Sequence, residues 1–427
     1  MSFIDARNVP ADPTSTERLA AQGLDYRVAS GSDALLLHVE AAERGFLAGE
    51  PEPAELEGEA SVLAGRRVIE VHDPSSPQAF PVATEDAWVA RLTVPGGELP
   101  MWAISGVTVA GTHRRRGIAR AMLEGELRAA HAAGVPVAGL TASEATIYGR
   151  FGFAPALPAA RLTIDAKRAG WGSAEPQARI DFTTREQAVD DLEELHERTR
   201  LDRVGDIAAW RRRWEQKAGT AAGVTDAKKI RAVRATDAAG ELVGAMTFRI
   251  AGDWDDATFE VIHLIGSTAD ARAALWRFAL SYDLVAKISA HTQPLDTPLP
   301  WLVRDHRAVK VAAHDHGWLR VLDVPAMLRG RALSAGFGVR LRVTDDLGLA
   351  GGSWVVSHLT GLRIDELDDA AAVDVTMDIG AFSAAILGGV TLETLAGAGR
   401  VTGDAAKIGE LSAALRLATA PLLSIGY

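Results

Sequence analysis

Three consecutive arginines, Arg114-Arg115-Arg116, stand between an apolar strand pattern, Gly106-Val107-Thr108-Val109, and an amphipathic helix pattern from Gly117 to about His131. Cations in the first turn of a helix oppose the positive end of its dipole, each costing about a few tenths of a kcal/mol. An anion bound there removes the conflict. Gly117 lets the backbone approach a phosphate, Ile118 follows it, and Ala119 keeps the second turn free of bulk. The unpaired N–H groups of a helix start then become donors to phosphate oxygens. The pattern predicts strand, phosphate loop, helix. The Walker spacing and the three-glycine dinucleotide fingerprint are both missing. On the hexapeptide alone, a solvated basic turn stays open as an alternative.

Composition narrows the partners. The 427 residues carry a net charge of −11, which argues against a general nucleic-acid binder and tolerates a cationic substrate. There are no cysteines, so thiolate metal sites, disulfides and covalent thiol chemistry are excluded. Met1 to Ala20 holds Asp5, Arg7, Asp12, Glu17 and Arg18 without an apolar core; it reads as a tail and not as a signal peptide. No window is long and apolar enough to span a bilayer. A soluble, cytoplasmic protein without membrane contact is expected. His306, His314, Asp315 and His316 lack a helical i, i+4 ligand pair, so a loop of satisfied histidines is expected there, with no metal.

About thirty residues after the arginines, a short strand at Pro136 to Thr141 leads into Ser143-Glu144-Ala145-Thr146-Ile147-Tyr148-Gly149-Arg150-Phe151-Gly152-Phe153. Together with Arg-Arg-Arg-Gly-Ile-Ala, this segment resembles the GCN5-related N-acetyltransferases (the GNAT superfamily), and in particular the Eis (enhanced intracellular survival) branch. The element order of the first unit is similar to that fold. A strand at Tyr26 to Ala29 precedes a helix capped by Ser32-Asp33 with Leu35, Leu36, Val39 and Phe46 at helical spacing; a second helix covers Ala54 to Leu63. Strands follow at Arg67 to Val71, Ala87 to Val94 and Pro100 to Val109.

The resemblance implies an α+β chain of tandem GNAT folds followed by a sterol carrier protein-like domain, with expected limits at 1–158, 159–319 and 320–427. In the second unit a helix is expected from Phe182 through Leu195. Strands are expected at Arg231 to Thr236, Leu242 to Ile250 and Phe259 to Leu264, then a helix from Asp270 to Leu280. Its loop, Gly266-Ser267-Thr268-Ala269-Asp270-Ala271, lacks the arginines, which predicts a coenzyme-free copy. In the third unit strands are expected at Gly338 to Val343, Ser353 to Ser357 and Ala372 to Met377, and helices at Ile379 to Leu387, Leu392 to Ala396 and Asp404 to Thr419.

The same resemblance implies acetyl-CoA as cosubstrate, with backbone contacts from Val107 and Val109 to the pantetheine arm, Arg114, Arg115, Arg116, Gly117, Ile118 and Ala119 around the pyrophosphate, and Ser143 near the thioester. Tyr148 is expected to protonate the departing thiolate, since a phenol with pKa near 10 is close to a thiol; a half-buried packing role is the alternative. Eis-type chains end in an aromatic residue whose terminal carboxylate enters the first domain's active site, and this chain ends Ser424-Ile425-Gly426-Tyr427. The Tyr427 carboxylate is therefore expected as the base, against the alternative of a frayed tail. Family members active on aminoglycosides line a broad pocket with carboxylates, in some of them including the penultimate residue, and here that residue is Gly426. The implied activity is acetylation of primary amines on cationic small molecules, aminoglycoside-like or polyamine-like, by a homo-oligomer, hexameric by resemblance. Acetylation of protein or peptide lysines, and non-catalytic carriage of acyl-CoA or lipid by the third unit, are the alternatives.

Overall fold

The computed structural model describes residues 4–252, 257–368 and 370–427. By contacts the chain divides into two units: residues 1–157, 317–418 and 426–427 form the first, and 158–316 with 419–425 the second. In chain order the first GNAT-like stretch comprises α1 (Pro13–Ala20), β1 (Asp25–Val28), α2 (Ser32–Gly45), α3 (Pro53–Leu63), β2 (Arg67–His72), β3 (Ala83–Val94), β4 (Gly97–Val109), α4 (Ile118–Ala132), β5 (Val137–Thr141) and α5 (Ala145–Tyr148). β1 to β4 form an antiparallel meander.

β5 joins β4 in parallel over three pairs only, Met101↔Val137, Trp102↔Ala138 and Ala103↔Gly139. Past that point β4 runs on to Val109 and β5 to Thr141 without pairing, so the two strands part. A register shift in β3 at Thr84/Asp86 lies opposite the divergence. There Gly106 takes φ +63° with the Asp86 carboxylate so close that a Cβ would stand 2.8 Å from it. Only glycine meets both demands.

Beneath α4 the sheet buries charge. Arg67 on β2 donates Nε to Glu126 of α4 at 3.0 Å, Trp102 Nε1 donates to the same carboxylate at 3.2 Å, and both ionic side chains are fully buried. Glu85 on β3 lies beside them; burial pushes its carboxyl well above the usual range, with the Glu126 charge adding to it. The Arg67–Glu126 pair pins the α4 helix to β2.

Pro13–Ala20, expected as tail, is a helix docked on α4. Asp12 caps it through Ser15 N, Ser15 Oγ donates to Ala121 O at 2.6 Å, and Leu19 is fully buried. Two other expectations fail nearby. The α2 N-cap is Gly31, with no side-chain cap, in place of Ser32-Asp33; Phe46 lies just past α2 and is 52% exposed, so it is not a core residue.

The second unit holds β6 (Ala154–Asp165, from Pro158 on), α6 (Ala166–Ala169), β7 (Arg179–Thr183), α7 (Arg185–Thr199), α8 (Arg211–Ala218), β8 (Arg231–Thr236), β9 (Leu242–Ala251), β10 (Ala257–Gly266), α9 (Ala269–Leu280), β11 (Val285–Gln293), α10 (Leu299–Leu302) and β12 (Val309–Val321, to His316). Its strands run β6-β11-β10-β9-β8-β7. Phe182, expected in a helix, is an exposed residue of β7. Thr184 ends that strand and caps α7 by accepting from Gln187 N. His314 and His316, expected in a loop, lie in β12; the polar His-Asp-His run hid the strand.

From Gly317 the chain returns to the first unit, where β12 pairs antiparallel with β5. α11 (Val324–Gly330), β13 (Gly338–Thr344), β14 (Gly352–His358), β15 (Leu362–Glu366), β16 (Val375–Asp378), α12 (Ile379–Ala385), α13 (Leu392–Gly397), β17 (Val401–Gly403) and α14 (Ala405–Leu415) follow. The five strands pair in the order β15-β14-β13-β16-β17. Two expected limits shift: β16 starts at Val375 and not Ala372, and α14 stops at Leu415, short of Thr419. Every residue of α12 is buried. Ser383 Oγ on it accepts from Val321 N at 2.9 Å, and fully buried Arg320 holds Asp345 at 2.6 Å while donating Nε to Phe151 O. The third stretch thus packs its central helix against the strand beside β5.

Removing one member of a buried ion pair leaves the other uncompensated, at about 3–5 kcal/mol. Glu126→Ala is therefore expected to lower the urea midpoint of the first unit strongly. The double replacement Arg67→Met with Glu126→Leu should recover most of the loss. Equal midpoints for Glu126→Ala and the unmodified chain would show that the pair does not hold α4.

Candidate active site

The loop between β4 and α4 begins with a 3-10 turn at Gly111–His113 and ends at Gly117, the α4 N-cap, at φ +75°. No side chain caps the helix and its first turn carries no acid. Arg115 holds φ +62°, a left-handed conformation that costs a non-glycine residue about 1 kcal/mol or more. Arg114 Nε donates to Val109 O at 3.3 Å and Arg116 to Gln22 O at 3.3 Å. The Arg18 guanidinium of α1 lies 3.5 Å from where a Gly117 Cβ would be. Ile118 is buried in the core under the loop and Ala119 beside it is half-buried. An uncapped helix start ringed by arginines suits a pyrophosphate.

Val107 and Val109 lie on the stretch of β4 that has lost its β5 partner. A parted strand offers hydrogen-bonding groups on one edge, which an extended amide-bearing arm can pair with. These residues suit a ligand with a pyrophosphate and an extended amide-bearing arm, as coenzyme A has.

At the other lip, β5 ends at Thr141. Its Oγ1 donates to the terminal carboxylate of Tyr427 and accepts from Tyr427 N–H at 3.2 Å. The Tyr427 ring meets Trp88 of β3 edge-on at 4.9 Å, and the Arg66 guanidinium lies over the Trp88 ring, 3.7 Å from its centroid. Arg66 in turn holds Asp86 at 2.7 Å, the carboxylate that abuts Gly106. The preceding tail belongs to the second unit. There Asp206 accepts from Ser424 N, Val204 O accepts from Leu422 N, and His316 donates Nε2 to Ile425 O at 3.2 Å. The C-terminus is thus held along its whole length, against the alternative of fraying.

Tyr148, at the end of α5, is 6% exposed and packs edge-on against Phe153. Burial pushes its phenol up to about 12, the carboxyls of Glu85 and Glu144 add to the effect, and a hydrogen bond with Ser143 opposes it. A phenol so raised stays protonated at neutral pH, further from a thiol than its ordinary value. Ser143 itself is exposed.

The second unit repeats the parallel pair, β10 with β11, from Ala257↔Val285 to Val261↔Ala290. Its helix start differs in every respect that matters for an anion. Thr268 caps α9 by accepting from Ala271 N at 3.0 Å, and Asp270 sits in the first turn, its carboxylate taken by Gln177 N and Ala178 N. Just past the last β10–β11 pair, His263 is buried against Trp214, which also packs on His196.

Sequence reasoning missed Arg18, Arg66, Trp88 and Thr141. Nothing local marks them; each acts through a partner far along the chain.

Comparison with known proteins gives the same organisation. Residues 47–156 and 203–321 each match an acetyltransferase (GNAT) domain, and 324–424 match a sterol carrier protein domain. The chain is 33% identical over 386 residues to an uncharacterized N-acetyltransferase of Streptomyces avermitilis, covering 85% of this chain and 89% of that one. It is 34% identical over 361 residues to N-acetyltransferase Eis of Mycobacterium tuberculosis, covering 81% and 86%. The crystal structure of Eis1 from Mycobacterium abscessus superposes with a TM-score of 0.79 at 26% identity, over 95% of this chain and 100% of that one. Two tandem GNAT folds and a sterol carrier-like domain, all α+β, make up the chain.

Thr141→Val deletes both hydrogen bonds to Tyr427. The last residue is expected to be released by carboxypeptidase at least tenfold faster than from the unmodified chain; an unchanged release rate would mean that the Trp88 contact alone fixes the terminus.

Proposed function

Because the chain belongs to the Eis-like N-acetyltransferases of the GNAT superfamily, we propose that it moves the acetyl group of acetyl-CoA onto a primary amine of a cationic small molecule, with the Tyr427 carboxylate as base and Tyr148 as proton donor. Aminoglycoside-like and polyamine-like acceptors fall within this class. The observation that carries the assignment is the terminal carboxylate bound by Thr141 at the end of β5, beyond the point where β4 and β5 part.

The chain's groups divide the work by position. Arg114, Arg115, Arg116 and the α4 start from Gly117 to Ala119 hold the pyrophosphate, and the free edge at Val107 and Val109 aligns the arm behind it. The Tyr427 carboxylate takes a proton from the incoming ammonium, directly or through a water, leaving a neutral nitrogen. As the C–N bond forms and the C–S bond breaks, Tyr148 gives its proton to the departing sulfur, with Ser143 orienting the phenol, and the second proton lost by the nitrogen returns through water to the phenolate. The products are the N-acetyl amine and the free thiol. The capped, acid-bearing α9 start supports one coenzyme site per chain, in the first unit. A hexamer, the assembly the resemblance implies, belongs to the same proposal.

Arg115→Glu with Arg116→Glu replaces attraction at the pyrophosphate by repulsion and is expected to weaken acetyl-CoA binding by about 2 kcal/mol or more. Titration calorimetry of the unmodified chain should give one acetyl-CoA per chain. Unchanged affinity in the double variant would remove the loop assignment, and a stoichiometry near two would make the second unit functional.

A further inference from the structure

The second unit buries polar groups where its own parallel strands part. After Val261↔Ala290, β10 stays paired with β9 and β11 with β6. Both strands slip in register there, β10 between Val261 and His263 and β11 between Ala290 and Gln293. Within the second slip Thr292 holds φ +55°, a left-handed conformation that a β-branched residue adopts only under constraint. His263 of β10 and Thr247 of β9 are register partners, so their side chains share one face of the sheet. Thr247 is fully buried and His263 is 7% exposed, yet Thr247 Oγ1 and His263 Nε2 have no hydrogen-bond partner.

The helix α8 covers that face. Its Trp214 ring lies 5.4 Å from the His263 ring, and Lys217 follows Trp214 by about one turn, on the same side of the helix. Lys217 is part-buried. Burial holds its ammonium down to about 8 and the Arg213 guanidinium adds to the effect; among the described residues no carboxylate pairs with it. The Lys217 charge reaches His263, His291 and His316, whose imidazoles burial holds below their ordinary value, so all three are neutral at pH 7.

An ammonium without a counter-charge, beside a buried hydroxyl and imidazole without partners, is unfavourable until something completes it. An anion does so. Lys217 alone carries the charge of this trio, so a monoanion balances it, whereas a dianion leaves a buried negative charge uncompensated. A planar carboxylate can set one oxygen on the ammonium and the other on the hydroxyl and the imidazole N–H. Trp214, packed between His196 and His263 at 4.8 and 5.4 Å, walls the place with rings, which suits a short apolar body. We infer that the second unit binds a small monocarboxylate between Lys217 of α8 and the Thr247–His263 pair of the sheet.

This site does not depend on the acetyl-transfer reading. The experiment follows thermal melting of the full chain, without acetyl-CoA, in sodium acetate, propionate and butyrate against sodium chloride and sodium phosphate at matched ionic strength and pH, with calorimetric titration of the carboxylate that acts most strongly. The melting temperature is expected to rise saturably with carboxylate and not with the inorganic salts, at one carboxylate per chain. Lys217→Met removes the ammonium and should abolish the effect; Thr247→Val keeps the shape and should weaken binding at least tenfold. Acetyl-CoA affinity should stay within twofold in both variants, since the coenzyme loop belongs to the first unit.

Carboxylate binding unchanged in either variant overturns the inference, as do equal stabilisation by chloride or phosphate and the absence of any carboxylate dependence. If Lys217→Met does not fold, Thr247→Val decides alone. Each of these results leaves the N-acetyltransferase reading intact, because that reading stands or falls on turnover.

Discussion

The parting of β4 from β5 is the constraint on which the rest of the first unit depends. Three parallel pairs hold the strands together and then pairing stops at Ala103↔Gly139. Gly106, left-handed and pressed against Asp86, turns β4 away. The divergence leaves an unpaired strand edge, aims the β4–α4 loop at its open end, and leaves Thr141 at the tip of β5 with a hydroxyl free for the chain's own terminus. A buried ion pair, Arg67–Glu126, fixes the helix that carries the loop, so backbone divergence and helix position are set independently.

One run of contacts joins the parts. Tyr427 meets Trp88, Trp88 carries Arg66, Arg66 holds Asp86, and Asp86 stands where a side chain at Gly106 would be. The same strand bulge that frees the β4 edge thus anchors the guanidinium that lies over the ring beside the terminal residue. The second unit has the topology without this furniture. Its helix start is already satisfied by Thr268 and Asp270, and histidine and tryptophan are packed where its strands diverge. Fold alone therefore does not make a site.

What the sequence disclosed was local. The arginine loop, the helix after it and the Tyr-Gly-Arg-Phe turn each lie within a few residues, and strand or helix periods reported them well. The helix at Pro13–Ala20 was missed because eight residues carry little periodic signal; its Asp12 cap, buried Leu19 and docking on α4 through Ser15 stabilise it. Phe46 misled because its apolar character was taken for burial, and Phe182 because it was read as the start of the helix that begins at Arg185. Thr141 could not be found at all, since its partner lies 286 residues away. The carboxylate it binds is not a side chain and leaves no mark in any residue pattern. Tyr148 was singled out as a proton donor, with half-buried packing as the alternative, and its acidity depends on burial that no linear pattern reports.

The central claim is that the carboxylate of Tyr427 is the base. Its most direct test compares the unmodified chain with one extended at the C-terminus by a short Gly-Ser segment, both shown to be folded by thermal melting. The extension moves the charge off Tyr427 and leaves the loop at Arg114 to Ala119 untouched. We expect kcat to fall by at least a hundredfold while the acetyl-CoA Kd stays within twofold, the pattern of a lost transition-state interaction. Equal turnover in the two chains would contradict the claim and assign proton removal to an internal group or to water.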